Sequence, residues 1–257
     1  GFEGWFPNLE AAEALADLAD GIDPGLRAYA RAGLESTADV HDLRARLSAV
    51  SDADGLPAVL QANTIVAAPT LDRSPEPGDA FGWPLHEPGT HPGPYRRPGL
   101  VAAVDSAIAA GTYWPELHGL VHVDLPRYAR ARAAGDPVAM RALRHGVFAF
   151  DGWLAHTELE GSDPERALTW ASEAVRRFEA RFGRRPASVI APDFHWGRED
   201  ESAWARLGIE VVQAKREQID DRVDPTHAFG RARKVVERMF DRWWARFVYL
   251  DRPAHLE

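Results

Sequence analysis

The sequence predicts an α/β fold in which parallel strands alternate with covering helices. Three observations carry that prediction. Short apolar, β-branched runs (Thr64-Ile65-Val66, Ala187-Ser188-Val189-Ile190-Ala191, Ile209-Glu210-Val211-Val212-Gln213) recur between stretches of helical periodicity. Glycine and proline punctuate the change from one period to the other, as at Gly111, Gly183, Pro192 and Gly208. The chain has 257 residues, 45% hydrophobic and 27% charged, the balance of a soluble globular protein long enough to bury a core without covalent staples.

The elements follow in order. Asn8 caps an expected helix over Leu9 to Leu18, rich in good helix formers. Ser36-Thr37-Ala38-Asp39 resembles a capping box, followed by Val40, Leu43, Leu47 and Val50 at helical spacing. A buried strand is expected around Thr64-Ile65-Val66, halted by Pro69. Residues 69–99 hold eight of the 19 prolines and five glycines, a density that neither helix nor sheet accepts. Phe81, Trp83 and Tyr95 argue against full disorder there, leaving two readings: a wall or lid over a site, or a mobile surface loop. Leu100 to Ala110 reads as a helix ended by Gly111, and Tyr113 to Val123 as a strand with its C-terminal turn. Two short helices are expected near 126–134 and 137–145. Ser162-Asp163-Pro164-Glu165 opens a strong helix with proline in the first turn. The strand 187–191, the helix 199–207 and the strand 209–213 complete the alternation. No repeat or linker divides the chain, so residues 1–257 are read as one domain.

Composition excludes several classes of function. The chain has no cysteine, which removes disulfides, thiolate metal sites, iron–sulfur clusters and a cysteine nucleophile. Any metal must be held by histidine and carboxylate. A formal charge of −9 argues against nucleic acid as a partner. No apolar run approaches a membrane span of roughly 18 residues, and no leader pattern precedes Trp5, which favours the cytoplasm over export. The missing initiator methionine is expected to reflect trimming, processing or a fragment.

Two segments carry the side chains of chemical interest. In Pro115-Glu116-Leu117-His118-Gly119-Leu120-Val121-His122-Val123-Asp124, His118 and His122 lie four apart. That spacing converges on one face of a helix or a strand, and neutral imidazole is a common ligand of zinc. Polar residues at a strand end are the bland reading, and the zincin pattern is absent. Ala191-Pro192-Asp193-Phe194-His195-Trp196-Gly197 follows a strand, where parallel α/β folds bind ligands. Asp193, His195 and Trp196 there are candidates for a base, a proton donor and a stacking face; an ordinary loop with a turn-forming aspartate is the alternative. Asp72, beyond the strand ending near Ala68, has a similar position. The arginines of 176–185 read as a solvated helix face and its end, and Trp243-Trp244 as core.

Three segments together resemble the polysaccharide deacetylase-like (NodB-type) family. Gln61-Ala62-Asn63-Thr64-Ile65-Val66-Ala67-Ala68-Pro69 is similar to its second barrel strand. Glu116 to Tyr128 resembles its paired-histidine motif, in a bacterial subgroup with glycine after the first histidine. Phe178 to Pro192 resembles the strand before a substrate-groove loop. The resemblance spans roughly residues 36 to 230 and implies a distorted (β/α) barrel holding a divalent metal, usually zinc. The implied reaction hydrolyses an N-acyl or O-acyl group on a sugar, or a related amide. His118 and His122 would be metal ligands; Asp193 or Asp72 a third ligand or the base; His195 a further catalytic candidate. Trp196, as a groove wall, with Trp114 and Arg127 would contact substrate. The family's aspartate pair ends its first strand, yet residues 1–7 contain no aspartate. Its final histidine follows the last strand, where His255 is the available stand-in. The expectation is therefore a barrel, or an open remnant lacking its first strand. Two further function classes stay open: a catalytically incomplete carbohydrate-binding relative, and a glycosidase with paired carboxylates.

Overall fold

The computed structural model describes residues 14, 35–69, 81, 83–91, 96–146, 149–150, 153–154, 158–159, 163–214 and 248–251. The expected helix at Asn8, Asp72, Trp243-Trp244 and His255 lie outside the described residues.

Helix α1 (Thr37–Ser48) starts as the sequence predicts: the Ser36 hydroxyl accepts from the Asp39 amide, and the Asp39 carboxylate accepts from the Ser36 amide. Strand β1 (Leu60–Thr64) leads into buried Ile65 and Val66. It begins earlier than the β-branched centre suggested, because the paired residues are those facing the next strand.

The Pro/Gly-rich segment contains a two-residue ladder, β2 (Ala68–Pro69) against β3 (Leu85–His86), antiparallel. Its aromatic residues anchor it: Phe81 meets Trp170 edge-on at 4.8 Å between ring centres, and Trp83 lies 5.8 Å from Tyr128. Phe81 and Trp83 are therefore held on the main core.

Helix α2 (Leu100–Ala109) turns Leu100, Ala103, Val104 and Ala107 inward, and Gly111 follows it in the left-handed conformation. Strand β4 (Tyr113–Leu117) then enters the sheet centre. Helices α3 (Leu125–Ala133) and α4 (Pro137–Arg144) are capped by Asp124 and Asp136, each with proline in the first turn. A short ladder, β5 (Ala149–Phe150) with β6 (Trp153–Leu154), precedes the long helix α5 (Pro164–Phe182). Asp163 caps α5 and Gly183 ends it in the left-handed conformation. Strand β7 (Ser188–Ile190), a 3₁₀ turn (Pro192–Phe194), helix α6 (Arg198–Arg206), strand β8 (Val211–Ala214) and strand β9 (Val248–Asp251) complete the order.

The five strands form one parallel sheet in the order β1-β4-β7-β8-β9. Parallel strands need helical crossovers, which α2, α5 and α6 supply. Among the described residues no ladder joins β9 to β1, so the architecture shown is a parallel α/β sheet with covering helices. The main core gathers Leu117, Val189 and Val212 of the sheet with Trp170, Phe178 and Trp204 of the helices. A second cluster joins Val40, Ala62, Leu100, Val104 and Tyr113 beneath α1 and α2. No helix among the described residues is long and apolar enough to cross a membrane.

Candidate functional site

Two turns meet at the carboxyl ends of neighbouring strands. Residue Leu117 of β4 pairs with Val189 of β7, so the segments that follow, 118–124 and 191–195, emerge side by side. This is where parallel sheets place ligand sites. Each turn holds one of the two non-glycine residues with positive φ among the described residues, His122 (63°) and Phe194 (58°). Left-handed backbone is costly for residues with a β-carbon, and such outliers gather at functional sites.

His118 and His122 are both buried, at 6% and 9% exposure, and their rings stand nearly perpendicular with centres 5.2 Å apart. The His118 amide donates to the Thr64 carbonyl at the end of β1. His118 Nδ1 lies 2.9 Å from the Ile190 carbonyl oxygen. A carbonyl only accepts, so this contact puts the ring proton on Nδ1 and the lone pair on Nε2. The same arrangement orients histidine ligands in metal sites.

Glu158 was not singled out by sequence reasoning. It is 2% exposed, and its carboxyl accepts from three successive amides: Leu120 at 2.6 Å, Val121 at 2.5 Å and His122 at 2.7 Å. Burial pushes its pKa up, against the three amides and the His118 ring, which pull it down. The Arg166 guanidinium bridges the Glu158 carbonyl (2.8 Å) and the Asp124 carboxylate (3.2 Å), closing a loop of bonds around the histidine turn. Gly119 has φ of 80°, and a β-carbon there would collide with the Glu158 carboxyl and press on Pro192. A glycine after the first histidine is thus a local requirement of this packing.

The remaining expected site residues divide. Asp193 belongs to the 3₁₀ turn beside the histidines, and its side chain lies outside the described residues, as does all of Asp72. His195 follows that turn, its amide donating to the Pro192 carbonyl. Arg127 sits in the first turn of α3, its amide donating to the Asp124 cap. Trp196 is 2% exposed, packs on Trp204 and donates its indole N–H to Glu201. Trp114 is 49% exposed but sits at the amino end of β4, four residues and roughly 13 Å of strand from His118. There it stacks on Arg184 (4.2 Å) and donates to Glu116.

The ring centres of His118 and His122, 5.2 Å apart, are close enough for both imidazoles to reach one ion. The tautomer of His118 also fits. Among the described residues, no group of three histidine, aspartate or glutamate side chains gathers to hold an ion. The pair could offer two of the three protein ligands that an open catalytic zinc site would need.

No family model matches the chain, and no curated protein matches it. Two solved structures are similar. IcaB from Ammonifex degensii shares 12% identity over 80% of this chain and 74% of its own, with a TM-score of 0.34. A Mycobacterium smegmatis protein assigned as a polysaccharide deacetylase shares 14% identity over 45% of this chain, with a TM-score of 0.29. The chain spans only 28% of that protein's length.

Proposed function

We propose that this chain is a metal-dependent hydrolase that removes an acyl group from a carbohydrate or related amide. The observation that carries the reading is the convergence of His118 and His122 at the carboxyl ends of β4 and β7, with Nδ1 of His118 committed to the Ile190 carbonyl. The carbohydrate part rests on the motif resemblance of segments 61–69, 116–128 and 178–192. The same proposal covers the single domain over 1–257 and closure of the sheet into a distorted barrel.

In this reading the lone pairs of His118 and His122 hold the ion. Asp193 or Asp72 is the third ligand or takes the proton of the attacking water, and His195 gives a proton to the leaving amine. When bound, zinc polarises the acyl carbonyl and lowers the pKa of a water.

The test is metal content and acetate release on the same purified protein. The expected result is close to one equivalent of metal, with acetate released from chitooligosaccharides and abolished by a chelator. His118→Ala should lose both. A metal-free protein whose His118→Ala variant has unchanged metal affinity would overturn the reading. Binding of the oligosaccharide without acetate release would return the reading of a carbohydrate-binding relative.

A further inference from the structure

We propose that Glu158 is a positioning residue for the paired histidines, acting through the backbone of the turn that carries them. The inference rests on the metal-site reading above and adds a residue that the motif itself does not contain.

The geometry has three parts. First, successive amides at 120, 121 and 122 point to one place, forming a concavity of N–H groups that suits an acidic group. Glu158 fills it from a segment 36 to 38 residues further along the chain. Secondly, His122 is held at φ 63°, a conformation that its own side chain disfavours. Its amide is one of the three bound by Glu158, so the bond maintains the backbone that brings the His122 ring to within 5.2 Å of His118. Thirdly, the clamp is itself fixed: Arg166 ties the Glu158 carbonyl to Asp124, and Gly119 leaves the space that the carboxyl occupies. Burying a carboxyl where an apolar side chain would fill the same space is costly. A group that orients ligands accounts for its presence here, as outer partners do in metal sites.

The experiment compares wild type, Glu158→Gln, Glu158→Asp and a control, Phe178→Leu, which loosens the buried face of α5 without touching the Glu158 bonds. Each is titrated with cobalt(II), read by its visible spectrum, after urea unfolding has set the folded fraction. The Nδ1 proton of His118 is followed in parallel by long-range proton–nitrogen spectra without metal. Positioning predicts that folded Glu158→Gln binds cobalt about 10–100-fold more weakly. Its His118 tautomer should become mixed, while the control, equally destabilised, keeps wild-type affinity and tautomer. Folded Glu158→Gln with affinity within twofold of wild type and an unchanged tautomer would overturn the proposal. If wild type binds no cobalt, the metal reading fails, and the tautomer comparison still decides whether Glu158 positions the ring. If neither Glu158 variant folds, amide exchange in wild type decides. Slowing at Leu120, Val121 and His122 on cobalt binding supports the coupling, and unchanged exchange overturns it.

Discussion

At the scale of single residues, the site depends on atoms that are absent as much as on those present. Gly119 combines a left-handed backbone with a close approach to Glu158 and Pro192. Gly119→Ala should therefore lower unfolding free energy by about 2 kcal/mol or more, from backbone strain plus displacement of the buried carboxyl. Urea titration of the two proteins checks this; a loss within about 0.5 kcal/mol, typical of surface changes, would contradict the packing. The paired histidines were legible because a spacing of four needs no tertiary information. Glu158 was not, because its three bonds span 36 to 38 residues and no local pattern marks a carboxyl that serves a distant turn.

At the scale of elements, two helix starts were legible, the Ser36 box and the opening at Ser162-Asp163-Pro164-Glu165, because the partner of each cap lies within three residues. Asp124 and Asp136 cap two further helices over the same short range, although the sequence reading named no cap there. The β2–β3 ladder was not visible, since two-residue strands have no periodicity to read. It carries His86, whose ring centre is 5.7 Å from that of buried His91. Burial, then the neighbouring His86, pulls the pKa of His91 down to about 4, with a backbone group of Ala68 opposing. The unfolded chain thus takes up this proton below the ordinary value of about 6.5, and the folded chain only near 4. The contribution of His91 to stability is intact above pH 6.5 and falls as pH drops through that window, by up to about 3 kcal/mol. Unfolding measured at pH 7 and pH 4.5 should show a smaller acid loss in His91→Gln than in wild type. Equal losses would place the acid sensitivity elsewhere.

At the scale of the whole molecule, a polar lattice ties four strands together on one side of the sheet. Glu116 of β4 accepts from the Ser188 amide (2.8 Å) and hydroxyl (3.1 Å) of β7, and pairs with Arg184 at 3.2 Å. Gln213 of β8 donates to Ser188 (2.9 Å) and to Asn63 of β1 (3.1 Å). Buried polar groups must be satisfied, so each bond constrains the strands it joins. Glu116→Ala removes the acceptor of the buried Ser188 amide and the ion pair of Arg184, and should cost about 2 kcal/mol. Glu116→Gln, which keeps an acceptor, should cost less. Chemical denaturation of both variants checks the order, and an alanine variant as stable as wild type would show that the lattice contributes little.

By itself the sequence determined the alternation of strands and helices, the Ser36 and Asp163 helix starts and the histidine pair. Each depends on residues a few positions apart, where backbone geometry alone decides which side chains meet. Only the tertiary structure decided the strand order, the meeting of the 118–124 and 191–195 turns, and the burial of Trp196. It also decided the separation of Trp114 from the histidines and the clamp by Glu158. Those outcomes depend on contacts between distant segments and on which buried polar groups find partners, and neither is written in local spacing.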